Sequence, residues 1–318
     1  MKKLPFIAVV IPCYRVRNQI SKVINAIDKR VNRIYIVDDF CPEQTGIFLK
    51  QSPKDNRLRI LFHKSNCGVG AAVMTGYKEA LKDNAQIIIK IDGDGQMDPT
   101  LMWNFINPII EGKADYTKGN RFYDLEEILA MPTARIIGNT LLSFMNKVSS
   151  GYWNIFDPTN GYTAIHSDVL KLLPLKKISN RYFFESDMLF RLNTVKAVVV
   201  DVPMNAKYGE ESSNLNIKSI LCEFFMKHLK NTFKRIFYNY YLRDLSVASF
   251  ELPLGICFLF FGLIFGFQKW IHFAKLGVAA SSGTVMLSAI PLLISMQLIL
   301  AFINYDINSI PKTIRHKR

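Results

Sequence analysis

The stretch Ile87-Ile-Ile-Lys-Ile-Asp-Gly-Asp-Gly-Gln-Met-Asp-Pro99 decides how the chain is read. Ile87, Ile88, Ile89 and Ile91 make a short β-branched run bounded by Gly and Pro, which predicts a buried strand. The strand runs straight into a tight turn that holds Asp92, Asp94 and Gln96. Carboxylates two residues apart at a strand end converge on one small volume. Oxygen ligands on such a rigid support suit a hard divalent cation that keeps positions open for phosphates. Ordinary turn chemistry, with Asx-turns and glycine at positive φ, is the alternative. An EF-hand loop does not fit, because Trp103 stands where its last acidic ligand belongs.

The residues before this turn give it context. Phe6 to Pro12 reads as strand, Val16 to Arg30 as a helix with Ile20, Val23, Ile24 and Ile27 on one face, and Ile34 to Val37 as a second strand. A helix is expected around Gly46 to Gln51, a third strand at Leu58 to Phe62, and a helix from Gly68 to about Lys82. Alternation of this kind predicts an α/β fold with a mainly parallel sheet. Ligands of such sheets bind beyond the carboxyl ends of the strands. Pro12 and Tyr14 follow the first strand, Asp38 and Asp39 the second, and Asp92 and Asp94 the fourth. Acidic groups there can accept hydrogen bonds from a ribose or a base edge, and together they point to a nucleotide site. Each alone could equally be a helix cap or a turn. Gly68-Val69-Gly70 does not open a dinucleotide fingerprint, since Val73 replaces the third glycine and the motif lies in the third βα unit.

Composition narrows the partners. The 318 residues carry a formal net charge of +14, which calls for an acidic partner: nucleic acid, an anionic membrane surface or phosphorylated substrates. Five scattered cysteines without a C-x-x-C pair argue against structural zinc and a disulfide scaffold, and fit a reducing compartment. The apolar run Leu4 to Ile11 is followed at once by Tyr14, Arg15 and Arg17 with no small-residue cleavage site, so it reads as a strand and not as a secretory signal.

From Leu215 the chain changes character. Between Ile217 and Arg243, Lys218, Lys227, Lys230, Lys234 and Arg235 interleave with Phe224, Phe225, Leu229, Phe233 and several tyrosines, a basic amphipathic pattern suited to a membrane interface. A helix covering the catalytic core is the alternative. Residues 250–268 and 284–304 are almost wholly apolar, each close to the roughly 20 residues that a bilayer requires. Two buried core helices would be needed to explain them otherwise. Basic residues before the first run and after the second outweigh Lys269 and Lys275 between them, which predicts a hairpin anchor with both ends cytoplasmic. The positive charge is then accounted for by anionic lipid and phosphates, without nucleic acid. The expected organisation is a catalytic domain over 1–214, amphipathic interfacial helices over 215–248, and the two-span hairpin with its basic tail over 249–318.

The ordered series Val10-Ile-Pro-Cys-Tyr14, Val37-Asp-Asp39, Asn66-Cys-Gly-Val-Gly-Ala71, Asp92-Gly-Asp-Gly-Gln96 and Asp157-Pro-Thr-Asn-Gly-Tyr162 resembles the family 2 glycosyltransferases of GT-A (Rossmann-like) fold. Within them it most resembles the polyprenyl-phosphate glycosyltransferases, the group of dolichol-phosphate mannose synthases and bactoprenol glucosyltransferases. The resemblance covers residues 5 to 215. It implies Mg²⁺ or Mn²⁺ held by Asp92, Asp94 and Gln96 against a UDP- or GDP-linked sugar, with Pro12, Tyr14, Asp38, Asp39, Asn66 and Gly93 along the donor. It implies that Arg121 and Arg135 act with Asp94 in catalysis and, with Asn139, bind the acceptor phosphate. Asp157, Asn160, Gly161, Glu185 and Asp187 fall near the sugar. Arg15-Val16 stands where the family has Asn-Glu, and Phe40-Cys41-Pro42 where it has Gly-Ser. Lys207 and Ser213 lie in a segment expected to be a lid or acceptor loop.

The activity so implied is inverting, metal-dependent transfer of a sugar to undecaprenyl or dolichyl phosphate at the cytoplasmic membrane face. It would supply lipid-linked sugar for glycan or cell-envelope assembly, by a protein that is a homo-oligomer on the same resemblance. Extension of a lipid-linked or surface glycan, and a non-catalytic scaffold that binds nucleotide sugars, are the other readings.

Overall fold

The computed structural model describes residues 4–51, 55–123, 133–205 and 217–317, with the side chains of 134, 135 and 217–221 outside that description. Two compact units result: one comprises residues 1–232 with 311–318, the other residues 233–310.

The larger unit is built on a seven-stranded sheet of order β3-β2-β1-β4-β6-β5-β7. Its strands are β1 Ile7–Cys13, β2 Arg33–Asp38, β3 Leu58–Phe62, β4 Ile87–Lys90, β5 Tyr116–Asn120, β6 Thr163–His166 and β7 Val199–Pro203. β1, β2, β3 and β4 pair in parallel, whereas β6 runs antiparallel to both β4 and β5. β1 and β4 are buried along their whole length, as continuous apolar runs in a sheet covered on both faces must be. Helices α1 Arg17–Ala26, α2 Thr45–Gln51, α3 Val69–Lys82 and α4 Met102–Ile110 connect them. α1 is shorter than the sequence pattern suggests. Ile27 adopts an extended conformation, and Asp28 then takes the Arg30 guanidinium at 2.6 Å and the Trp103 indole N–H at 2.8 Å. α3 crosses β1 closely because Gly76 has no side chain; a Cβ there would stand 2.4 Å from Val10 Cγ1.

The remaining helices of this unit are α5 Thr133–Ser150, α6 Ser167–Lys171, α7 Phe184–Thr194 and the first part of α8 Ile217–Phe237. The tail after residue 310 belongs to the same unit. The fully buried Asp115 carboxylate accepts the backbone N–H groups of Val198, Arg315 and His316 at 2.8 to 3.0 Å, and the His316 ring at 2.7 Å. His316 stacks on His166 with ring centroids 4.2 Å apart.

The smaller unit holds the end of α8, a π-helical turn Tyr238–Arg243, and helices α9 Ala248–Leu276 and α10 Ser282–Asn308. Both long helices extend beyond the apolar runs 250–268 and 284–304. Each is long and apolar enough to cross a membrane, and only 11% of each apolar window is buried within the protein. They approach closely at small residues: a Cβ on Gly255 would meet Ile299, and one on Gly262 would meet Leu292. At one end of the pair, Arg235 grips Asp306 with two hydrogen bonds of 2.6 and 2.9 Å, and Tyr240 donates to the same carboxylate at 2.5 Å.

Candidate active site

The carboxyl ends of β1, β2 and β4 open into one cavity of about 480 Å³. Pro12 and Tyr14, Asp39, Asn66, Gly93 and Asp94 all border it, so six of the residues singled out in the sequence meet there. Arg181 and Tyr182, from the loop before α7, complete the wall; no motif in the sequence marks them. The first turn of α3 lies against that loop, since a Cβ on Gly70 would stand 2.2 Å from Ser179 O, and Gly68 has φ +96°.

The two neighbouring acids of β2 do different work. Asp38 accepts the backbone N–H groups of Cys41 and Gly46, each at 2.7 Å, and so shapes the entry to α2. It borders a second hollow with Phe40, Phe62 and His63. Asp39 accepts the N–H groups of Cys67 and Gly68 at 2.8 and 2.7 Å, and meets His63 Nδ1 at 2.6 Å. His63 Nε2 in turn lies 2.9 Å from the Thr75 hydroxyl. Asp39, His63 and Cys67 form the one group of three such side chains close enough to share an ion among the described residues, yet hydrogen bonds within the protein already engage the Asp39 carboxylate and both His63 nitrogens.

Asp92 and Asp94 differ as well. Asp94 faces the cavity, and its Oδ1 accepts the backbone N–H of Gln96 at 2.9 Å, which closes the turn. Asp92 is tied back into the protein: its Oδ1 lies 2.8 Å from Nζ of Lys90, a buried lysine that also faces Glu185 at 3.5 Å. A lysine in a fully covered strand is tolerable only when its charge is met, and here two carboxylates meet it. Although burial opposes the charge, Asp92 and Glu185 outweigh it and hold the Lys90 ammonium above its ordinary pKa. Burial raises Glu185, with Lys90 and Lys118 pulling the other way. Gly161 closes over this cluster: a Cβ there would stand 2.1 Å from Lys90 Nζ and 2.5 Å from Asp92 Oδ2. Of the three expected metal ligands only Asp94 lines the cavity, with Asp92 and Gln96 on either side of it in the same turn; oxygen donors of this kind fit a hard divalent cation.

On the β5 side, Arg121 binds Asp157 through Nε and Nη2 at 2.7 and 2.9 Å, and Nη2 also reaches the Thr159 hydroxyl at 3.1 Å. Asp157 is buried. Burial opposes its charge, but Arg121 and the nearby Lys118 outweigh that and hold the carboxyl below the usual range. The fully buried Lys118 donates to the Asn160 carbonyl, and burial pushes its pKa down to about 8. Asn160 turns the chain by accepting the Tyr162 N–H at 2.9 Å. Asp187 is occupied structurally: it accepts from Ser179 N, Arg191 Nε and Asn231 Nδ2 at 2.9 to 3.2 Å, joining the 179 loop, α7 and α8. Asn139 lies half-buried on α5. The Arg135 side chain, Lys207 and Ser213 lie outside the described residues.

Lys90 and Lys118 received no role from the sequence, although a lysine inside Ile-Ile-Ile-Lys-Ile is itself a signal that a buried counter-charge exists.

Strand order, the antiparallel β6 and a cavity at the carboxyl ends of the parallel strands define a GT-A-type glycosyltransferase. The chain belongs to glycosyl transferase family 2, whose profile matches residues 8–173. It is 30% identical over 220 residues to the UDP-N-acetylglucosamine–dolichyl-phosphate N-acetylglucosaminyltransferase of Methanococcus voltae, covering 65% of this chain and 87% of that one. It is 25% identical over 205 residues to the polyprenol monophosphomannose synthase of Mycolicibacterium smegmatis, covering 62% and 75%. Among solved structures, glucosyl-3-phosphoglycerate synthase from Mycobacterium tuberculosis, in complex with Mn²⁺, UDP and phosphoglyceric acid, aligns with a TM-score of 0.54 at 16% identity, over 73% of this chain and 78% of that one.

Proposed function

We propose that this glycosyltransferase moves a sugar from a nucleoside diphosphate to a polyprenyl phosphate at a membrane surface, with a divalent metal. The observation that carries the reading is the convergence of Asp39, Asn66 and Asp94 on one cavity, in a chain that also carries two apolar helices of membrane-spanning length. The relatives named for transfer to dolichyl or polyprenyl phosphate support the acceptor class.

In this scheme Tyr14 borders the nucleoside, and Asp39, already braced by two backbone amides, offers a fixed carboxylate to it. Asp92, Asp94 and Gln96 would hold Mg²⁺ or Mn²⁺, which supplies neutralisation of charge on the departing diphosphate. Lys90 fixes the direction of Asp92 from below. Arg121, held rigid by Asp157, is assigned with Arg135 and Asn139 to the phosphate oxygens. Asp157, Asn160, Gly161 and Glu185 make the floor beneath the sugar. An acceptor phosphate monoester has a second pKa of about 6 and is already largely ionised near neutrality, so positioning can replace a strong general base.

The catalytic part is assigned to 1–214, the interfacial helices to 215–248 and the anchor to 249–318. The tail beyond residue 310 shares the unit that contains β1 to β7, which supports both flanks of the hairpin lying on one side of the membrane. The test is a donor screen with purified protein, polyprenyl phosphate, UDP- and GDP-sugars and Mg²⁺ or Mn²⁺, read by mass spectrometry. A phosphate-linked sugar lipid that disappears in Asp94→Ala is expected. Folded protein that forms no product with any donor would sink the proposal.

A further inference from the structure

We infer that Asp201 of β7 is a positioning residue for the Arg121–Asp157 pair, one carboxylate holding both backbone segments on which that pair is mounted. This rests on the reading of Arg121 as a phosphate ligand and goes beyond it, because Asp201 is not among the residues that border the cavity.

Asp201 stands on the last strand of the sheet, in register with Lys118 of β5. Its Oδ2 accepts the Asn120 side-chain amide at 3.0 Å and the backbone N–H of Phe156 at 3.3 Å. Asn120 passes the restraint on, since its own Oδ1 accepts the backbone N–H of Phe122 at 2.9 Å. Arg121 is thereby pinned through the residues on both sides of it, and Asp157 through the residue before it. The bonds of 2.7 and 2.9 Å that fix the guanidinium run between these two mounts, which lie 36 residues apart in the chain. A shift of either mount carries the guanidinium with it.

The same carboxylate is left half satisfied. Its Oδ1 is shut off from solvent and has no hydrogen-bond partner among the described residues. A buried anionic oxygen without a donor is costly. Burial raises Asp201 to about 6; the Phe156 N–H and Lys118 oppose the rise, Asp157 adds to it, and the Asn120 amide opposes it. Lys147 of α5 also feels this carboxylate. Near neutrality Asp201 is charged, and both bonds that it accepts are charge-assisted. Once Oδ1 takes a proton they become neutral bonds, roughly half as strong. The brace therefore loosens as pH falls through about 6.

The experiment measures kcat/KM for polyprenyl phosphate with the full chain in detergent and the donor found in the screen, from about pH 5 to about pH 7.5. Asp201→Asn keeps an oxygen for both N–H groups but carries no charge at any pH. It is expected to run about tenfold below the native enzyme at about pH 7.5 and to converge with it near pH 5. The acceptor phosphate, whose second pKa is also about 6, titrates alike in both enzymes and drops out of their ratio. Asp201→Ala, which removes the brace, is expected to fall about 10²-fold at about pH 7.5. A native-to-Asn ratio that stays constant across the range would overturn the inference, as would native acceptor kinetics in Asp201→Ala. Arg121→Ala keeps two failures apart. Native acceptor kinetics in that variant would refute the phosphate reading of Arg121, and the inference with it. A deep loss there, beside a flat ratio for Asp201→Asn, leaves that reading standing and removes the inference alone.

Discussion

Gly161→Ala is the substitution that tests the charge cluster under the cavity most directly. Gly161 has no positive φ, so its backbone suits any residue and the whole effect comes from the added methyl. That methyl would sit 2.1 Å from Lys90 Nζ, where ordinary contact begins at 3.4 Å. The ammonium would have to retreat by the difference, about 1.3 Å. The end of a lysine is normally free to do so, but Lys90 is 1% exposed and held by two carboxylates. Removing one partner of a buried ion pair costs about 3–5 kcal/mol, and a displaced pair should lose roughly half of that, about 2 kcal/mol. For a unit of this size that corresponds to a fall in Tm of about 4–8 °C. Asp92 moves with its lysine, and a misplacement of about 1 Å in a positioning group lowers turnover by about 10²-fold. Differential scanning fluorimetry and steady-state kinetics with the donor found in the screen read the two effects. Gly138→Ala is the control, since among the described residues nothing beyond its own helix lies within 4 Å of a Cβ there, and α5 should gain slightly from it. A Gly161→Ala enzyme with unchanged Tm and unchanged kcat/KM would show that Lys90 and Asp92 have room to move, and the cluster would lose its positioning role.

Other outcomes follow from the same geometry. Asp94→Asn should abolish transfer while the folded protein still binds nucleoside diphosphate; calorimetry should show that binding no longer responding to Mn²⁺, and a persistent Mn²⁺ response would place the cation elsewhere. Burial, and then the neighbouring His316, lower His166 to about 4, with Asp168 and Asp115 pulling upward. The folded state thus favours the neutral ring, and its stability contribution is complete above the ordinary value near 6.5 and lost as pH falls from there toward 4. Tm measured across that range should fall more in the native chain than in His166→Phe, and parallel curves would refute the assignment. Asp306→Leu leaves Arg235 buried without its carboxylate, at a cost of about 3–5 kcal/mol, whereas Arg235→Met with Asp306→Leu should recover most of it; equal thermal stability of the single and double variants in detergent would contradict this.

Much of the fold is legible in the sequence. β1, β2 and β4 can be placed because continuous apolar runs have few alternatives; of the four acids at their ends, Asp39 and Asp94 border the cavity, whereas Asp38 and Asp92 do not. What escaped were contacts set by distance along the chain. Arg121 and Asp157 are separated by 36 residues, and neither sits in a pattern that pairs it with the other. The antiparallel return of β6 between β4 and β5 has no local signature, since a four-residue strand such as Thr163-Ala-Ile-His166 reads alike in either direction. Two adjacent acids, Asp38 and Asp39, looked equivalent as letters; only the loops folded around them separate a turn anchor from a cavity wall.

The grip of Asp115 on Arg315 and His316 has a bearing on how the molecule is made. A ribosome finishes β1 to β7 long before it reaches residue 311, so the carboxylate at the head of β5 must wait, unsatisfied by the tail, until both apolar helices have been synthesised. The catalytic unit therefore reaches its final set of contacts only after α9 and α10 exist. Order of synthesis thereby couples completion of the catalytic unit to completion of the two long apolar helices that precede its last contacts.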